Sequence, residues 1–596
     1  MNERSTVRRR AVILMFDSMN RHMLQPYAQE TVVDTPNFRR LAERAVTFDN
    51  FYAGSMPCMP ARREMHTGRY NFLHRSWGPL EPFDDSMPEM LRAAGVHTHL
   101  VSDHLHYWED GGANYHTRYS TWDFIRGQEG DPWKGVVDGG TADGNPLGAL
   151  RRQDQINRQY MPTEAEHSQT LTVDAGLEFL GTNAGAGGWL AQIELFDPHE
   201  PFFVPQQYKD RYPHDYEGPE FDWPPYQKVF EPREQIEHAR LEYAALVSMC
   251  DASLGRVLDA FDEHSLWDDT LLIVNTDHGL LLGEHGWWGK SVQPWYNELV
   301  HIPMFVWDPR SRARGDRRAA LSQTIDIAPT VLGFFGLEPT PDMSGRDLAP
   351  VIADDGGEPR AGALFGIHGG HVNVTDGRYV YMRAPLQPSN TPLEEYTLMP
   401  AHMRARFRVE ELADWVPAEP MSFTKGIRTI RVPALPTWAN TWAQGTLLFD
   451  VSADPLQQVP LADDALELRM LKLLRDLLIE NDAPASQFER LGIPIDAEPS
   501  AEHLLIAAQR DRAAASAQPI PAPEELGALR ALSLPLMELV MIPAAREALA
   551  AHAPQLLDTE HLSMPHALSL IDIVRYGSFP VSVLVKIDEA LSAAEH

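Results

Sequence analysis

Cysteine, long apolar runs and positive charge are all scarce in this chain, and each scarcity excludes something. Only two of the 596 residues are cysteines, Cys58 and Cys250, which fits a reducing compartment better than a disulfide-stapled secreted fold. No run approaches the roughly 18 apolar residues of a membrane span. The opening Arg8-Arg9-Arg10 followed by Ala11-Val12-Ile13-Leu14-Met15-Phe16 imitates the start of a signal peptide, yet the apolar run stops after six residues at Asp17. That is too short for a signal's apolar region and reads as a buried first strand, so the expected location is the cytoplasm. Lysine and arginine total 51 against 84 aspartates and glutamates, a net charge of −33. Nucleic acid and an anionic membrane surface would be repelled at long range and are excluded as partners. What remains is ordinary soluble material, 43% hydrophobic and 23% charged, with enough length for a large core.

Short apolar runs that end in polar chemistry recur along the first part of the chain: Ala11 to Phe16 into Asp17, His99 to Val101 into Asp103, Trp189 to Leu195 into Asp197, and Leu271 to Val274 into Asp277. Helix-like stretches lie between them, at Asn37 to Ala45, Ser86 to Ala94, Ser168 to Leu180 and Ala239 to His264. This alternation predicts an α/β domain with a central, mostly parallel sheet between helices. Ligands of such sheets gather beyond the carboxyl ends of the strands, where the four aspartates would converge. Composition loosens around Gly357 to Gly362, and Val372-Asn373-Val374 and Tyr379-Val380-Tyr381 flank Asp376-Gly377, a hairpin signal. The expected division is a catalytic α/β domain over 1–360, a smaller β-containing subdomain over 361–461 and a helical tail over 462–596. Pro519-Ile520-Pro521-Ala522-Pro523 would be a stiff linker inside that tail, itself a packing or homo-oligomerisation element.

The most informative stretch is Cys58-Met59-Pro60-Ala61-Arg62, followed by Thr67-Gly68-Arg69. It reads as a helix closed by a glycine at its stop position, and Cys-x-Pro-x-Arg with Thr-Gly-Arg resembles the signature of the type I sulfatases, relatives of alkaline phosphatase. Thr35-Pro36-Asn37, Asp197-Pro198-His199-Glu200-Pro201, Thr276-Asp277-His278-Gly279, Leu282-Gly283-Glu284-His285-Gly286 with Lys290, and Ile325-Asp326-Ile327-Ala328-Pro329-Thr330 are similar to further blocks of that family, in its order. The resemblance runs from about residue 11 to 461. It implies an alkaline-phosphatase-like fold and hydrolysis of a small-molecule or saccharide sulfate ester, with inorganic sulfate and an alcohol or phenol as products.

It also implies that a maturation enzyme oxidises Cys58 to formylglycine, whose hydrate attacks the ester with one hydroxyl and expels the bound group with the other. Cys58 would then be consumed, leaving no pair for a disulfide. By the same resemblance one divalent cation, calcium or manganese, is held by Asp17, Asp277, His278 and the side chain at 58. Asp17-Ser18 stands where many sulfatases carry two aspartates, and one carboxylate fewer moves the site toward a softer cation. Arg62, four residues after Cys58, shares its helix face, where a guanidinium fork can hold the nucleophile or the anion. Lys290 would bind a sulfate oxygen and the departing oxygen, and His199 would protonate the leaving group. His104 would take the position of a substrate-binding lysine, and His106 that of the base that collapses the sulfated hemiacetal. His74, His285, His368 and His371 would at most support the site or face substrate. Two other readings share these parts: a phosphonate monoester or phosphodiester hydrolase, and a binder of sulfated or phosphorylated ligands without turnover.

Overall fold

Runs such as Ala11 to Phe16 have no polar face to offer solvent, so each must lie between two layers. In the computed structural model, which describes residues 9–28, 31–138, 149–357, 360–434, 441–520, 534–557, 569–575 and 581–594, they form the middle of an eight-stranded sheet. Its strands in chain order are β1 (Arg10–Phe16), β2 (Val46–Phe48), β3 (His97–Ser102), β4 (Thr121–Phe124), β5 (Trp189–Leu195), β6 (Thr270–Thr276), β7 (Met304–Trp307) and β8 (Arg317–Arg318). They lie in the order β8-β2-β7-β6-β1-β5-β3-β4. β1 pairs in parallel with β5 and β6, and β3 with β5 and β4. Only β7 runs against its neighbours β6 and β2.

Alternate residues of β1 feed two cores. Ala11, Ile13 and Met15 face a layer that includes α2 (Cys58–Thr67), α3 (Met87–Ala93) and α6 (Ile327–Phe335). Val12, Leu14 and Phe16 face α1 (Pro36–Arg44), α4 (Ser168–Thr182) and α5 (Arg233–Glu263). A strand covered on both faces needs apolar residues at every position, which explains the unbroken run.

A second, antiparallel sheet holds β9 (Ala363–Gly366), β10 (Val372–Thr375), β11 (Tyr379–Arg383) and β12 (Leu447–Asp450), in that order. β10 and β11 form the hairpin expected around Asp376-Gly377, where Gly377 takes φ +91°. Helices α7 (Asp464–Glu480) and α8 (Ala485–Leu491) cover this sheet. Met470, Leu471, Leu474 and Leu478 share one core with Leu364, Val374 and Tyr381, and with Tyr70, Phe72 and Leu73 just beyond α2. The last helices gather around Leu539, Leu549, Ile573 and Ile587 in a cluster of their own. Residues 521–523 of the proline-rich stretch lie outside the described residues. Among the described residues no helix is long and apolar enough to cross a membrane.

Candidate active site

The carboxyl ends of the adjacent strands β6, β1, β5 and β3 release Asp277-His278, Asp17, Asp197 to His199, and Asp103 to His106 onto one side of the sheet. The amino end of α2 brings Cys58 to the same place. Ligand atoms of Asp17, Cys58, Asp277 and His278 all lie within 4.8 Å of one another, and all four residues are buried. Cys58 Sγ is 3.3 Å from His278 Nε2 and 3.8 Å from Asp17 Oδ1. His278 donates Nδ1–H to the carbonyl of Gly279 at 3.0 Å, which leaves Nε2 as the free donor atom on the side of Cys58. Burial, then Lys290, lowers the His278 pKa to about 3, the state of a neutral metal ligand. Asp277 is pushed up to about 7 by burial and by Asp17. Asp17 is also driven up by burial, but Lys290 and Arg62 outweigh this and hold it well below the usual carboxylate range. Two carboxylates this close, with one proton retained between them, form a site that gains most from a dication.

Arg62 is where the structure departs most from the sequence reading. Its Nε donates to Glu194 Oε1 at 2.6 Å, Nη1 to Asp277 Oδ2 at 2.8 Å and to the Cys58 carbonyl at 2.9 Å, and Nη2 to Asp17 Oδ2 at 3.0 Å. A guanidinium committed to these partners does not offer a fork to an anion. Its work is to neutralise the carboxylates and tie α2 to three strand ends. Glu194, missed by the sequence reading, is the acidic residue inside the run Trp189 to Leu195, and its Oε2 accepts from Tyr107 Oη at 2.8 Å. A charged residue facing inward from an apolar strand was the available signal. Ser18, where a second aspartate was noted as missing, takes φ +64°. Its Oγ accepts from Lys290 Nζ at 2.8 Å and donates to Asp17 Oδ1 at 2.8 Å. Lys290 Nζ is also 3.5 Å from Cys58 Sγ and 3.7 Å from Asp17 Oδ1. Burial lowers its pKa, but Cys58, Glu200 and Asp17 reverse this and hold it above the usual lysine range, so it is a cation.

The histidines divide. His106 lines a cleft of about 260 Å³ that opens beside Cys58, with Lys290 and His199. Its Nδ1–H meets Glu109, an imidazole oriented by a carboxylate, and its ring stands edge-on to Trp77. His199 donates Nδ1–H to the Glu200 carbonyl and packs on Phe196. Burial, then Lys290, holds its pKa well below the usual range. The ring is therefore neutral at rest, which weighs against the general-acid role expected for it. His104 is fully buried behind Phe196 and His106, with no partner for either ring nitrogen, and is not part of the cleft wall. The other four histidines do not face this cleft. His74, His368 and His371 are spent on the carbonyls of Asp482, Glu394 and Gly445. His285 stacks on Tyr296 in the wall of a different cavity.

A family model described as Sulfatase matches residues 9–337, more than half of the chain and every strand that positions the site. The chain belongs to the sulfatase family. This makes it a sulfuric ester hydrolase on an alkaline-phosphatase-like fold. It is 23% identical over 416 residues to an N-acetylglucosamine-6-O-sulfatase of Bacteroides thetaiotaomicron, covering 59% of this chain and 72% of that one. It is 27% identical over 400 residues to the multifunctional alkaline phosphatase superfamily protein PehA of Trinickia caryophylli, covering 56% and 74%. Among solved structures it resembles a protein in complex with its substrate D-glucosamine-2-N,6-O-disulfate, with a TM-score of 0.55, 16% identity and coverage of 80% and 98%. It also resembles the phosphonate monoester hydrolase of Agrobacterium radiobacter, with a TM-score of 0.53, 19% identity and coverage of 80% and 96%.

Proposed function

We propose that the sulfatase reaction here uses formylglycine made from Cys58 and one divalent cation, calcium or manganese, held by Asp17, Asp277, His278 and the side chain at 58. The observation that carries this reading is the state of Cys58. Its sulfur sits within the donor set and in the wall of the cleft, yet burial, then Asp17, raises its pKa well above the usual thiol range. A thiol kept protonated is a poor nucleophile, so the position makes sense as a precursor. Because Cys58 is buried within α2, a maturation enzyme would have to meet this segment before the chain folds.

The charges fit the substrate. Once a dication displaces the proton shared by Asp17 and Asp277, these two and Glu194 against Arg62 and Lys290 leave one negative charge, which the dication turns into one positive charge, the complement of a monoanionic ester. A bound cation supplies charge neutralisation and lowers the proton affinity of the attacking hydroxyl. Ser18 in place of an acidic ligand favours manganese over calcium. Formylglycine at position 58, when hydrated, would supply one hydroxyl for attack at sulfur and a second whose deprotonation would re-form the aldehyde as the C–O bond to sulfate breaks. The protein's own residues do the rest. Arg62 fixes the two carboxylates, Lys290 holds a sulfate oxygen and meets the charge developing on the departing oxygen, and His199, whose one N–H is spent on the Glu200 carbonyl, offers Nε2 on that side as an acceptor only. His106, backed by Glu109, stands ready to take a proton.

Peptide mass spectrometry of protein co-produced with a formylglycine-generating enzyme tests the reading. The Cys58 peptide should lose the mass expected when SH and one H are replaced by O, and aryl sulfate hydrolysis should rise with the converted fraction. Cys58→Ala should abolish turnover, and full activity from unconverted thiol would overturn the assignment. A phosphonate monoester hydrolase, the reading that the Agrobacterium radiobacter likeness keeps in view, would turn over an aryl phosphonate monoester faster than the matching aryl sulfate.

A further inference from the structure

The outer wall of the cleft carries a contradiction. A site that admits a sulfate ester is walled, beyond Lys290, by two further carboxylates, Glu129 and Glu200. In a chain of net charge −33, each of them repels the anion when ionised, and burial raises the pKa of both, that of Glu129 to about 7. Neither is an accident of a loose surface. Glu129 is buried and held at φ +50°, a conformation that costs a non-glycine residue energy and persists only where the surroundings impose it. Here they do. Asp131 accepts from Arg126 Nε at 2.8 Å and from the backbone N–H of Gly127 at 3.0 Å, while Gln128 Nε2 donates to Asp103 Oδ2 at 3.0 Å and Asp197 Oδ2 at 3.2 Å. The loop is clamped on both sides of Glu129.

Glu200 is 2% exposed. Its Oε1 accepts from Tyr226 Oη, but its Oε2 has no hydrogen-bond partner, and the nearest ring nitrogen, Nδ1 of neutral His199 at 3.6 Å, is already donating to a carbonyl. A buried carboxylate oxygen without a donor is costly unless something outside the chain completes it. Among the described residues that line the cleft the cations are Lys290, whose charge acts on both carboxylates, and the half-exposed Arg404, 3.8 Å from Glu129 Oε1 and 3.4 Å from Glu109 Oε1. The same wall carries the aromatic side chains Trp77, Trp223 and Tyr226, the last bonded to Glu200. Carboxylates among aromatic faces recognise an organic cation, by charge and by the ring quadrupoles together.

Building on the sulfatase reading, we infer that the alcohol half of the substrate carries an ammonium group, seated between Glu129, Glu200 and the aromatic side chains, so that the ester is a zwitterion with sulfate at Lys290 and the cation at the outer wall. A cleft of about 260 Å³ suits a small amino alcohol. The aromatic faces favour a quaternary ammonium, whereas the unpartnered Glu200 Oε2 favours one with N–H groups.

Three esters test this on the matured, metal-loaded protein: 2-(trimethylammonio)ethyl sulfate, 3,3-dimethylbutyl sulfate, which has the shape of the first without its charge, and 2-aminoethyl sulfate, a smaller cation that carries N–H groups. The expected result is a kcat/KM for at least one cationic ester about tenfold above that of the neutral one. The ratio should fall at least about threefold in Glu129→Gln and in Glu200→Gln. Because the ratio is internal to each variant, partial misfolding does not imitate the effect. Equal rates on charged and neutral esters, or a ratio indifferent to both substitutions, would overturn the inference while leaving the sulfatase reading intact. If sulfate esters are not turned over at all, that reading fails instead, and calorimetric titration with 2-(trimethylammonio)ethanol against 3,3-dimethylbutanol still decides the charge preference. Tighter binding of the cation, weakened in Glu129→Gln, supports the cation seat, and equal binding removes it.

Discussion

Arg62 donates to Asp17, Asp277 and Glu194 without meeting solvent. A buried ion pair is weak evidence of net stabilisation, but removing one partner strands the others, at about 3–5 kcal/mol. Arg62→Met should therefore lower the unfolding free energy by roughly that amount in urea with chelator present, and by less with saturating manganese, because the dication takes over part of the lost charge. A loss that is the same with and without metal would separate Arg62 from the metal site. The spacing of Cys58 and Arg62 made this residue legible, since four positions along a helix share a face. The same spacing could not show what the face meets, because Asp17, Glu194 and Asp277 arrive from three distant strands. Ser18 was legible only as an aspartate missing. That it joins Lys290 to Asp17 became visible with the fold.

Helix α2 is buried at all ten positions, Cys58 to Thr67, so it has no amphipathic stripe and periodicity alone could not have found it. It was legible through its punctuation, ending where Gly68 takes φ +60° and donates its N–H to Glu64 O at 2.8 Å. Glu64, on the flank turned away from the strand ends, accepts from the Ser55 N–H at 2.7 Å through Oε1, while its Oε2 has no partner. Burial lifts its pKa from 4.5 to about 8, with the Ser55 hydrogen bonds opposing. Between those values the folded chain binds a proton that the unfolded chain has released. The stability from Glu64 is thus complete below about pH 4.5 and is lost as pH rises through about 8, at up to about 1.4 kcal/mol per pH unit. Glu64→Gln keeps the shape and removes the titration. Denaturant unfolding from pH 5 to 8 should show a flatter decline in the variant, and an unchanged slope would place the proton elsewhere.

At the scale of the whole molecule, the alternation of apolar runs and helices disclosed the α/β class, and the aspartates ending those runs disclosed the edge of the sheet where the site lies. Strand order was not legible. β1 is central although first in the chain, and β7 is reversed, because order depends on which helix faces pack together rather than on any local pattern. No motif marks the sequence around Glu129 or Arg404, yet both residues line the cleft wall. Their chemistry is that of single side chains aimed by turns, which leaves no period in a sequence.

The C-terminal extension divides by what it covers. Met470, Leu471, Leu474 and Leu478 of α7 are fully buried against the small sheet and against Tyr70, Phe72 and Leu73, the segment that follows α2. At about 1.5–3 kcal/mol for each buried side chain, losing them costs as much as the roughly 5–15 kcal/mol that keeps a typical domain folded. The cluster around Leu539, Leu549, Ile573 and Ile587 is built largely from its own helices and meets the rest of the chain near Phe230. Between the two, Lys228 Nζ donates to the carbonyls of Ser516 and Gln518, which anchors the chain as far as that point. A variant ending after residue 461 should be insoluble or inactive, because the small sheet is stripped and the support behind α2 goes with it. One ending after residue 520 should remain folded and keep its rate on an aryl sulfate within a few fold, with thermal unfolding and initial rates as the measurements. If the shorter variant proves folded and active, the sheet does not need α7, and the core shared by the small sheet and the tail is not what holds the nucleophile helix in place.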